Sequence, residues 1–323
     1  MSRTLAVCLG DRYGVGPELI ARLVATLEVD RATIVGDPEV LAAGQRAVGL
    51  IHDVPRISSL ADAPRGWSLL AFRTPLPVSP MGHLSAEAGR EVLDTLALLV
   101  EATKSGQVGG IVYAPLNKQA MRAAGHTAGD ELDFFNSHLS AVGLTGEINI
   151  LGELWTSRVT SHVPLGSVAS LITRQRVGAG IDLLARALRN SGIAAPRLAV
   201  AALNPHAGEG GAFGREEIDV LAPAVADAKA RGIDAAGPFP SDTIFPRAVG
   251  GAFDGVVTMF HDQGQIALKM VGLGQGITLL AGFVVPIATP GHGTAYDIAG
   301  TGRARPDGML AATRLVLRMM NHG

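Results

Sequence analysis

Residues 255–269 read GVVTMFHDQGQIALK, and this stretch indicates the fold of the chain. An apolar run of strand type, residues 255–260, stops at a histidine, an aspartate and a glycine, and Lys269 follows eight residues after His261. Similar apolar runs, such as the strand predicted at residues 159–161, alternate with helical patterns, such as those at residues 86–104 and 215–231. This alternation is typical of an α/β sheet with many parallel strands. Ligands bind such sheets beyond the carboxyl ends of the strands, so we expect a functional site where this run ends.

Bulk composition excludes several classes of protein. The 323 residues are 47% hydrophobic and 17% charged, with a formal net charge of -2, which argues against a nucleic-acid partner. The longest apolar stretch, residues 277–288, contains Pro286 and is too short to cross a bilayer. With Cys8 as the only cysteine and no segment of signal-peptide type, we expect a soluble cytoplasmic protein without a membrane partner. The low charge also favours a subunit interface.

The domain organisation predicted from the sequence is interleaved. We find no internal repeat and no long linker, so we expect the chain to cross between two lobes. The first lobe is predicted at residues 1–125 and 270–323 and the second at residues 126–269.

Three histidines each follow a strand-like run: His162, His206 and His261. Histidine is the commonest neutral metal ligand, and three imidazoles leave positions on a zinc-like ion open for substrate. A single histidine at a strand end is more often a hydrogen-bonded loop residue. The pattern alone therefore leaves both interpretations open.

A glycine-rich segment, residues 290–302, reads PGHGTAYDIAGTG. Its glycines let the backbone approach a ligand closely, and Asp297 can accept hydrogen bonds from ribose hydroxyls. The alternative is a plain loop before the last helix, and composition does not separate the two.

Four segments together resemble the 4-hydroxythreonine-4-phosphate dehydrogenase family. They are LNPHAGEGG at residues 203–211, SDTIF at 241–245, HDQG at 261–264 and HGTAYDIAG at 292–300. The resemblance begins at LGDRYGVGPEL, residues 9–19, and covers essentially the whole chain. The family includes 4-phospho-threonate/erythronate and terephthalate dihydrodiol dehydrogenases. The HGTAYDIAG segment also resembles the adenosine-binding segment of isocitrate and isopropylmalate dehydrogenases.

The resemblance implies a two-lobed α/β/α fold with a mostly parallel sheet and a cleft between the lobes. It further implies a homodimer with the active site in the cleft at the dimer interface. The family's metal ligands fall on His162, His206 and His261, for zinc, cobalt, nickel, manganese or magnesium. Its catalytic lysine and aspartate fall on Lys269 and Asp242. NAD is expected along Gly291, His292, Gly293, Thr294, Ala295 and Asp297.

These residue types predict an NAD-dependent and metal-dependent dehydrogenase acting on a hydroxy acid. A divalent cation lowers the pKa of a secondary alcohol, Lys269 or Asp242 takes or relays the proton, and NAD receives the hydride. The resulting β-keto acid is then set up for decarboxylation.

The predicted substrate pocket departs from the family pattern at four positions. Glu131 and Leu132 stand where the family has a His-Thr pair, and Thr278 and Ile287 stand for an asparagine and an arginine. Losing the arginine fork removes phosphate contacts, and a carboxylate repels phosphate. Lys118 is a remaining cation or a solvated loop lysine. We therefore expect a divergent member of the family with a reaction of the 4-hydroxythreonine-4-phosphate dehydrogenase type on a different hydroxy acid. The alternative is a terephthalate-type cis-dihydrodiol dehydrogenase or another dehydrogenase of a non-phosphorylated hydroxy acid.

Two other functional classes fit part of this sequence pattern. A metal-dependent hydrolase or lyase would use the same histidines without NAD, which the HGTAYDIAG segment disfavours. A non-catalytic binding protein has little reason to keep five polar groups (His162, His206, His261, Asp242 and Lys269) at strand ends.

Overall fold

The computed structural model describes residues 3–72, 74–127, 129–272 and 275–322. The chain forms two compact units. The first comprises Met1–Ser140 and Phe283–Asn321, and the second comprises Ala141–Gly282 and His322–Gly323. The chain thus passes between the units after residues 140 and 282, whereas the sequence analysis placed these boundaries after residues 125 and 269.

The described residues form twelve strands and eleven α-helices. The strands are β1 (Thr4–Cys8), β2 (Arg31–Gly36), β3 (Arg56–Ile57), β4 (Gly66–Ala71), β5 (Val108–Tyr113), β6 (Ala141–Leu151), β7 (Leu154–Arg158), β8 (Leu198–Ala201), β9 (Ala235–Phe239), β10 (Gly255–Thr258), β11 (Ile277–Phe283) and β12 (Ile287–Pro290). The helices are α1 (Gly16–Thr26), α2 (Pro38–Val48), α3 (Ala86–Lys104), α4 (Lys118–Ala123), α5 (Glu131–His138), α6 (Val168–Leu171), α7 (Arg174–Asn190), α8 (Ala222–Ala230), α9 (Ser241–Val249), α10 (His261–Val271) and α11 (Asp307–His322).

In the first unit the strands run in the order β3-β4-β2-β1-β5-β12. Neighbouring strands pair in parallel throughout this series. Every residue of β1 and β5 is buried. Strands buried on both faces are expected where helices cover both sides of a parallel sheet.

In the second unit the order is β11-β6-β7-β10-β8-β9. Strands β7, β10, β8 and β9 pair in parallel, while β6 and β7 pair antiparallel. Helices α9 and α10 pack on these strands through a core that includes Ile244, Phe245, Val256 and Leu268. The predicted α/β fold with a mostly parallel sheet is confirmed.

Local sequence signals explain where helix α2 begins and ends. Asp37 caps α2, because its side chain accepts a hydrogen bond from the Glu39 amide at 3.0 Å. The same helix ends at Gly49, whose φ of 68° is the left-handed conformation that glycine adopts at low cost. None of the helices in the described residues has the length and apolar character needed to cross a membrane.

Two predicted elements differ from the structure. The strand expected at residues 159–161 ends earlier, since β7 stops at Arg158 and His162 lies four residues beyond it. The helix expected at residues 215–231 opens with a π-helical turn, Glu217–Leu221, before α8 begins. Both differences lie beside loops that carry a histidine.

Candidate active site

The carboxyl ends of β7 and β10 lie side by side in the second unit. These strands are parallel neighbours, with Thr258 opposite Arg158. Beyond their ends the Thr160 amide and hydroxyl both donate to the Met259 carbonyl, at 3.1 and 2.8 Å. The two loops that follow are therefore tied together, and they carry His162 and His261.

His162 and His261 line one cavity. Their ring centroids are 5.6 Å apart, and the cavity has a volume of about 250 Å³. The other residues that line it are Thr160, Ser161, Val163, Leu165, Val168, Phe260 and Asp262. Two imidazoles thus line a mainly apolar cavity that is large enough for a small ligand.

Asp262 orients the ring of His261. The His261 Nδ1 atom lies 2.7 Å from the Asp262 Oδ1 atom. A carboxylate on Nδ1 fixes the tautomer in which Nδ1 carries the proton and Nε2 keeps a lone pair. This carboxylate–histidine arrangement is the one that commonly supports metal-ligating histidines.

The backbone at two of the three predicted ligands is strained. His162 has a φ of 47° and His206 a φ of 53°, in the left-handed region that side chains other than glycine rarely adopt. Ala207 and Glu209 share this conformation, so residues 206–210 form a left-handed turn with Gly208 and Gly210. Strain of this kind concentrates at functional sites, where the surrounding structure holds it in place.

Glu217 anchors the left-handed turn. Its Oε1 atom accepts hydrogen bonds from the amides of Leu203 and Asn204, at 2.9 and 2.7 Å, and the residue is only 3% exposed. The exposed ring of His206 lies 6.3 Å from the Phe213 ring, centroid to centroid. The turn is thus held firmly while its histidine stays accessible.

The three histidines do not gather in one place within this chain. His162 and His261 come together, but among the residues that the structure describes no group of three or more His, Cys, Asp or Glu side chains is placed to hold a metal ion. Ring nitrogens about 2.1 Å from a shared ion are compatible with centroids 5.6 Å apart. The residues present fit two ligands of a metal site.

Asp242 and Lys269 are both exposed. Asp242 lies in the first turn of α9, and Lys269 lies in the last turn of α10, the helix that begins with His261. Both side chains are accessible for proton transfer with a bound ligand.

Sequence analysis missed the role of Gln263 in the HDQG segment. Its amide oxygen accepts a hydrogen bond from the Met259 amide at 2.7 Å. Its amide nitrogen donates to the Ala202 carbonyl and to the Ser241 hydroxyl, both at 2.8 Å. Gln263 therefore joins the ends of β10 and β8 to the first residue of α9, beside Asp242. A glutamine two residues after a histidine at a strand end was the signal available in the sequence.

In the first unit, the HGTAYDIAG loop is bound to the turn between β1 and α1. The Val15 amide donates to the Thr294 carbonyl at 3.0 Å, and the Gly300 amide donates to the buried carboxylate of Glu18. The Tyr296 hydroxyl donates to Asp11. The start and the centre of the loop are thus fixed to this turn, and its end is fixed to the first turn of α1.

Burial changes the pKa values of the two side chains in the Asp11–Tyr296 contact. It raises the pKa of Asp11, against the opposing effect of hydrogen bonds from the Tyr296 hydroxyl and the Tyr13 amide. Burial, followed by the hydrogen bond to Asp11, raises the pKa of Tyr296. The tyrosine therefore keeps its proton and remains a donor to Asp11.

The glycines that precede α1 are needed for packing. A Cβ atom on Gly14 would lie 2.9 Å from the Thr294 Cβ atom, and one on Gly16 would lie 2.3 Å from the Leu9 carbonyl oxygen. These glycines let the HGTAYDIAG loop and β1 approach the turn. The sequence Gly14-Val15-Gly16 thus serves a close strand-to-helix turn.

Part of the HGTAYDIAG loop is open to solvent. Gly291, Gly293 and Asp297 are exposed, and a Cβ atom on Gly293 would meet nothing within 4 Å. The His292 Nδ1 atom lies 3.0 Å from the Gly293 carbonyl oxygen, and Ala295 has a φ of 44°. A loop with fixed ends and an open glycine backbone fits the close approach of a nucleotide.

A buried ion cluster lies in the same unit. Arg12 is 1% exposed and pairs with Asp37 and Glu91, each at 3.2 Å. Burial raises the pKa of Glu91, although Arg12 opposes the shift. The cluster anchors α2 and α3 to the residues that follow β1.

Lys118 and Glu131 form an ion pair. The Lys118 Nζ atom lies 3.1 Å from the Glu131 Oε2 atom, with side-chain exposures of 45% and 11%. Each is the first residue of its helix, α4 and α5, and the neighbouring Leu132 is half-buried. Lys118 is therefore paired with a carboxylate that compensates its charge, while nearly half of its side chain stays exposed.

The two remaining predicted pocket residues lie in different environments. The Thr278 hydroxyl accepts a hydrogen bond from the Asn149 amide at 3.0 Å in the second unit. Ile287 is 0% exposed and lies opposite Ile111 in the parallel pair of β12 and β5. A side chain without exposed surface has no face to offer a substrate, so the structure assigns Ile287 to the core.

Comparison with known proteins identifies the family. The family model described as "Pyridoxal phosphate biosynthetic protein PdxA" matches residues 28–316. A Pseudomonas aeruginosa protein named "Putative 4-hydroxythreonine-4-phosphate dehydrogenase 2" is 47% identical, covering 98% of this chain and 97% of its own.

Two solved structures are similar along the whole chain. The 4-hydroxythreonine-4-phosphate dehydrogenase from Klebsiella pneumoniae has a TM-score of 0.84 at 32% identity, covering 99% of this chain and 98% of its own. A terephthalate 1,2-cis-dihydrodiol dehydrogenase from Burkholderia xenovorans has a TM-score of 0.70 at 27% identity, covering 98% of both chains. The chain therefore belongs to the PdxA family of pyridoxal phosphate biosynthetic proteins.

Proposed function

We propose that this protein oxidises the secondary alcohol of a hydroxy acid with NAD and a divalent cation, in a reaction of the 4-hydroxythreonine-4-phosphate dehydrogenase type. Membership of the PdxA family and the dehydrogenase names of its relatives support an oxidoreductase. The observation that carries the proposal is the pair of imidazoles, His162 and His261, in one cavity with Asp262 behind the second ring.

The proposed metal ligands are His162, His206 and His261. A bound divalent cation would polarise the alcohol and lower its pKa. Neutral imidazoles suit zinc, cobalt, nickel or manganese, and magnesium belongs to the same proposal. Strained backbone at His162 and His206 supports a role for both. In the proposed homodimer, a second copy of each ligand would complete the set.

Lys269 and Asp242 are proposed to handle the alcohol proton. Both are exposed, and Lys269 shares α10 with His261. A general base needs hydrogen-bond reach to the proton it takes, and an accessible amine or carboxylate meets that need once substrate is bound. Loss of carbon dioxide from the β-keto product is the proposed second step.

NAD is proposed to bind at Gly291, His292, Gly293, Thr294, Ala295 and Asp297. The open backbone at Gly293 and the exposed carboxylate of Asp297 support this role. A carboxylate that binds ribose hydroxyls repels the extra phosphate of NADP, so NAD is the preferred cofactor.

The substrate is proposed to lack a phosphate. Glu131 neutralises Lys118, and entry of a phosphate would place a dianion beside the Glu131 carboxylate. Thr278 offers a neutral hydroxyl, already bonded to Asn149. The Lys118–Glu131 pair in the first unit therefore supports a hydroxy acid without a second anionic group.

A cis-dihydrodiol of an aromatic acid is the second candidate substrate. The structural similarity to the Burkholderia xenovorans enzyme favours it, since that enzyme is named for such a substrate. Two adjacent hydroxyls would then replace the single alcohol, and the same NAD chemistry applies.

A homodimer in the cytoplasm completes the proposal. Leu165 at the cavity rim is 72% exposed, and Ile266, Met270 and Val271 on α10 are 63%, 82% and 51% exposed. Large apolar side chains in this density favour burial against another subunit.

The test is a kinetic comparison that follows NADH absorbance with chelator-treated protein. We expect oxidation only after a divalent cation is restored, and faster oxidation of unphosphorylated hydroxy acids or diols than of 4-phosphooxy-threonine. A strong preference for the phosphorylated substrate would refute the substrate class. Full activity without a cation, or cation-dependent hydrolysis without NAD, would refute the reaction.

A further inference from the structure

We propose that Arg158 is a positioning residue that holds the loop carrying His162 and the helix carrying His261 in one fixed arrangement, through Asn149 and Gln265. The inference rests on the proposed function, because the arrangement matters only if both histidines bind the same cation. It assigns a role to a network that lies behind the cavity.

Arg158 is bound on all sides of its guanidinium. Its Nε atom donates to the Ser161 hydroxyl at 2.9 Å, its Nη1 atom donates to the Asn149 Oδ1 atom at 2.7 Å, and its Nη2 atom pairs with Glu147. The side chain is 7% exposed. Ser161 lines the cavity and precedes His162, so the contact fixes the chain next to the strained histidine.

Asn149 relays this contact to α10. Its Oδ1 atom also accepts a hydrogen bond from the Gln265 Nε2 atom at 2.7 Å. Gln265 lies four residues after His261 and four before Lys269, on the same face of the helix. A single carboxamide oxygen thus links the His162 loop to the helix that carries two proposed functional side chains.

The same carboxamide reaches a third element. The Asn149 Nδ2 atom donates to the Thr278 hydroxyl at 3.0 Å, so β6, β7, β11 and α10 meet at one side chain. Both Asn149 lone pairs and one of its protons are used. Losing one member leaves a buried donor or acceptor without its partner and lets the elements shift.

Arg158 contributes hydrogen bonds in fixed directions rather than a positive charge. Glu147 neutralises the guanidinium, so little positive charge is left for a substrate. The planar fork reaches three partners in fixed directions, which a lysine ammonium cannot do. Arg158→Lys therefore keeps the charge and removes the positioning.

The test measures cation affinity together with folding. We expect Arg158→Lys and Gln265→Ala each to weaken zinc binding about 10-fold to 100-fold, as changes behind a metal ligand do. The double variant should lose less than the product of the two single effects, because both act through Asn149. The value of kcat should fall while KM for NAD stays constant.

Arg176→Lys and Gln175→Ala on the exposed first turn of α7 are the matched controls, expected to leave zinc affinity unchanged. Gln265→Ala carries the test if Arg158→Lys lowers the folded population, since Gln265 is only half-buried. Variants that lose stability but bind zinc within twofold of the wild type would overturn the inference and leave the proposed function intact. Wild-type protein that binds no zinc would overturn both.

Discussion

The polar side chains that follow the strand ends are buried in the first unit and exposed in the second. In the first unit, Asp11 and Arg12 follow β1, and each is 1% exposed with its partners inside the unit. In the second unit, His261 follows β10 with a side chain that is 39% exposed, and His162 is exposed beside it. The same position in a parallel sheet thus holds a loop in one unit and leaves imidazole side chains accessible in the other.

This difference in burial distinguishes side chains that stabilise the fold from side chains that are proposed to bind a ligand. Buried polar groups in the first unit are bonded to one another, and their pKa values are set mainly by burial. Two exposed histidines in the second unit, His162 and His206, lie on strained backbone, which folding alone does not require. Substitutions of these strand-end side chains should therefore cost stability in the first unit and activity in the second.

The largest effect is expected from His261→Ala. Removing a ligand of the proposed cation forfeits several kcal/mol of transition-state stabilisation, so kcat/KM should fall at least about 100-fold. The free energy of unfolding should change by less than about 1 kcal/mol, because the side chain is not part of the core. Steady-state kinetics and urea unfolding measure the two quantities.

His52→Ala is the control for that experiment, since His52 is exposed in the first unit and lies in none of the proposed sites. Equal loss of activity in both variants, or a large loss of stability in His261→Ala, would break the distinction between the units.

Arg12→Leu should produce the next largest effect, on stability. It leaves Asp37 and Glu91 as buried carboxylates without their cation, which costs about 3–5 kcal/mol in the free energy of unfolding. Arg174→Leu, which breaks the exposed pair with Asp227, is the control and should cost far less. A similar loss in the free energy of unfolding for both variants, measured by urea denaturation, would show that the buried Arg12 cluster stabilises the fold no more than an exposed ion pair does.

One carboxyl group in each unit should make the free energy of unfolding depend on pH, with opposite signs for Glu91 and Asp254. Burial raises the pKa of Glu91 above its ordinary 4.5, so the folded state holds this proton more tightly than the unfolded chain does. Its contribution is therefore lost as the pH rises from that value through the folded pKa. Stability of Glu91→Gln relative to the wild type should increase over that window.

Asp254 provides the contrast in the second unit. Hydrogen bonds from Arg197 lower the pKa of Asp254 below its ordinary 3.8, so its contribution is present above that value and lost as the pH falls through the folded pKa. Unfolding of Asp254→Asn across the same pH series should show wild-type stability relative to the variant decreasing at low pH. Slopes of the same sign for Glu91 and Asp254 would contradict the comparison.

Cys8 should show the smallest effect. Burial raises the pKa of its thiol to about 12, so the reactive thiolate is nearly absent near neutral pH. We expect no labelling by a thiol reagent in folded protein, rapid labelling in urea, and less than twofold change in kcat/KM for Cys8→Ala. Labelling of the folded protein would show that the first unit opens at β1.

The fold followed from the sequence because strand and helix periods are local. The apolar run before His261 is a parallel strand, and residues 86–104 form the predicted helix. The Lys118–Glu131 pair was not predictable, since thirteen residues and a helix boundary separate the partners. The Arg158 network was equally hidden, because it joins side chains more than a hundred residues apart. A lone arginine at the end of a buried strand was its one sequence signal.

Burial corrected one expectation that residue type suggested. The family resemblance predicts that Ile287 stands where the family has a substrate-contacting arginine, and in the structure Ile287 is a fully buried core residue in β12. Sequence alone gives the substitution but not the side on which the new side chain lies.

Equilibrium dialysis of zinc against chelator-treated wild type, His162→Ala and His261→Ala tests the central claim most directly. The account predicts that wild-type protein binds zinc and that each substitution weakens binding at least about tenfold, because a lost ligand costs no less than a lost supporting contact. Equal zinc binding by all three proteins, or none by the wild type, would contradict it.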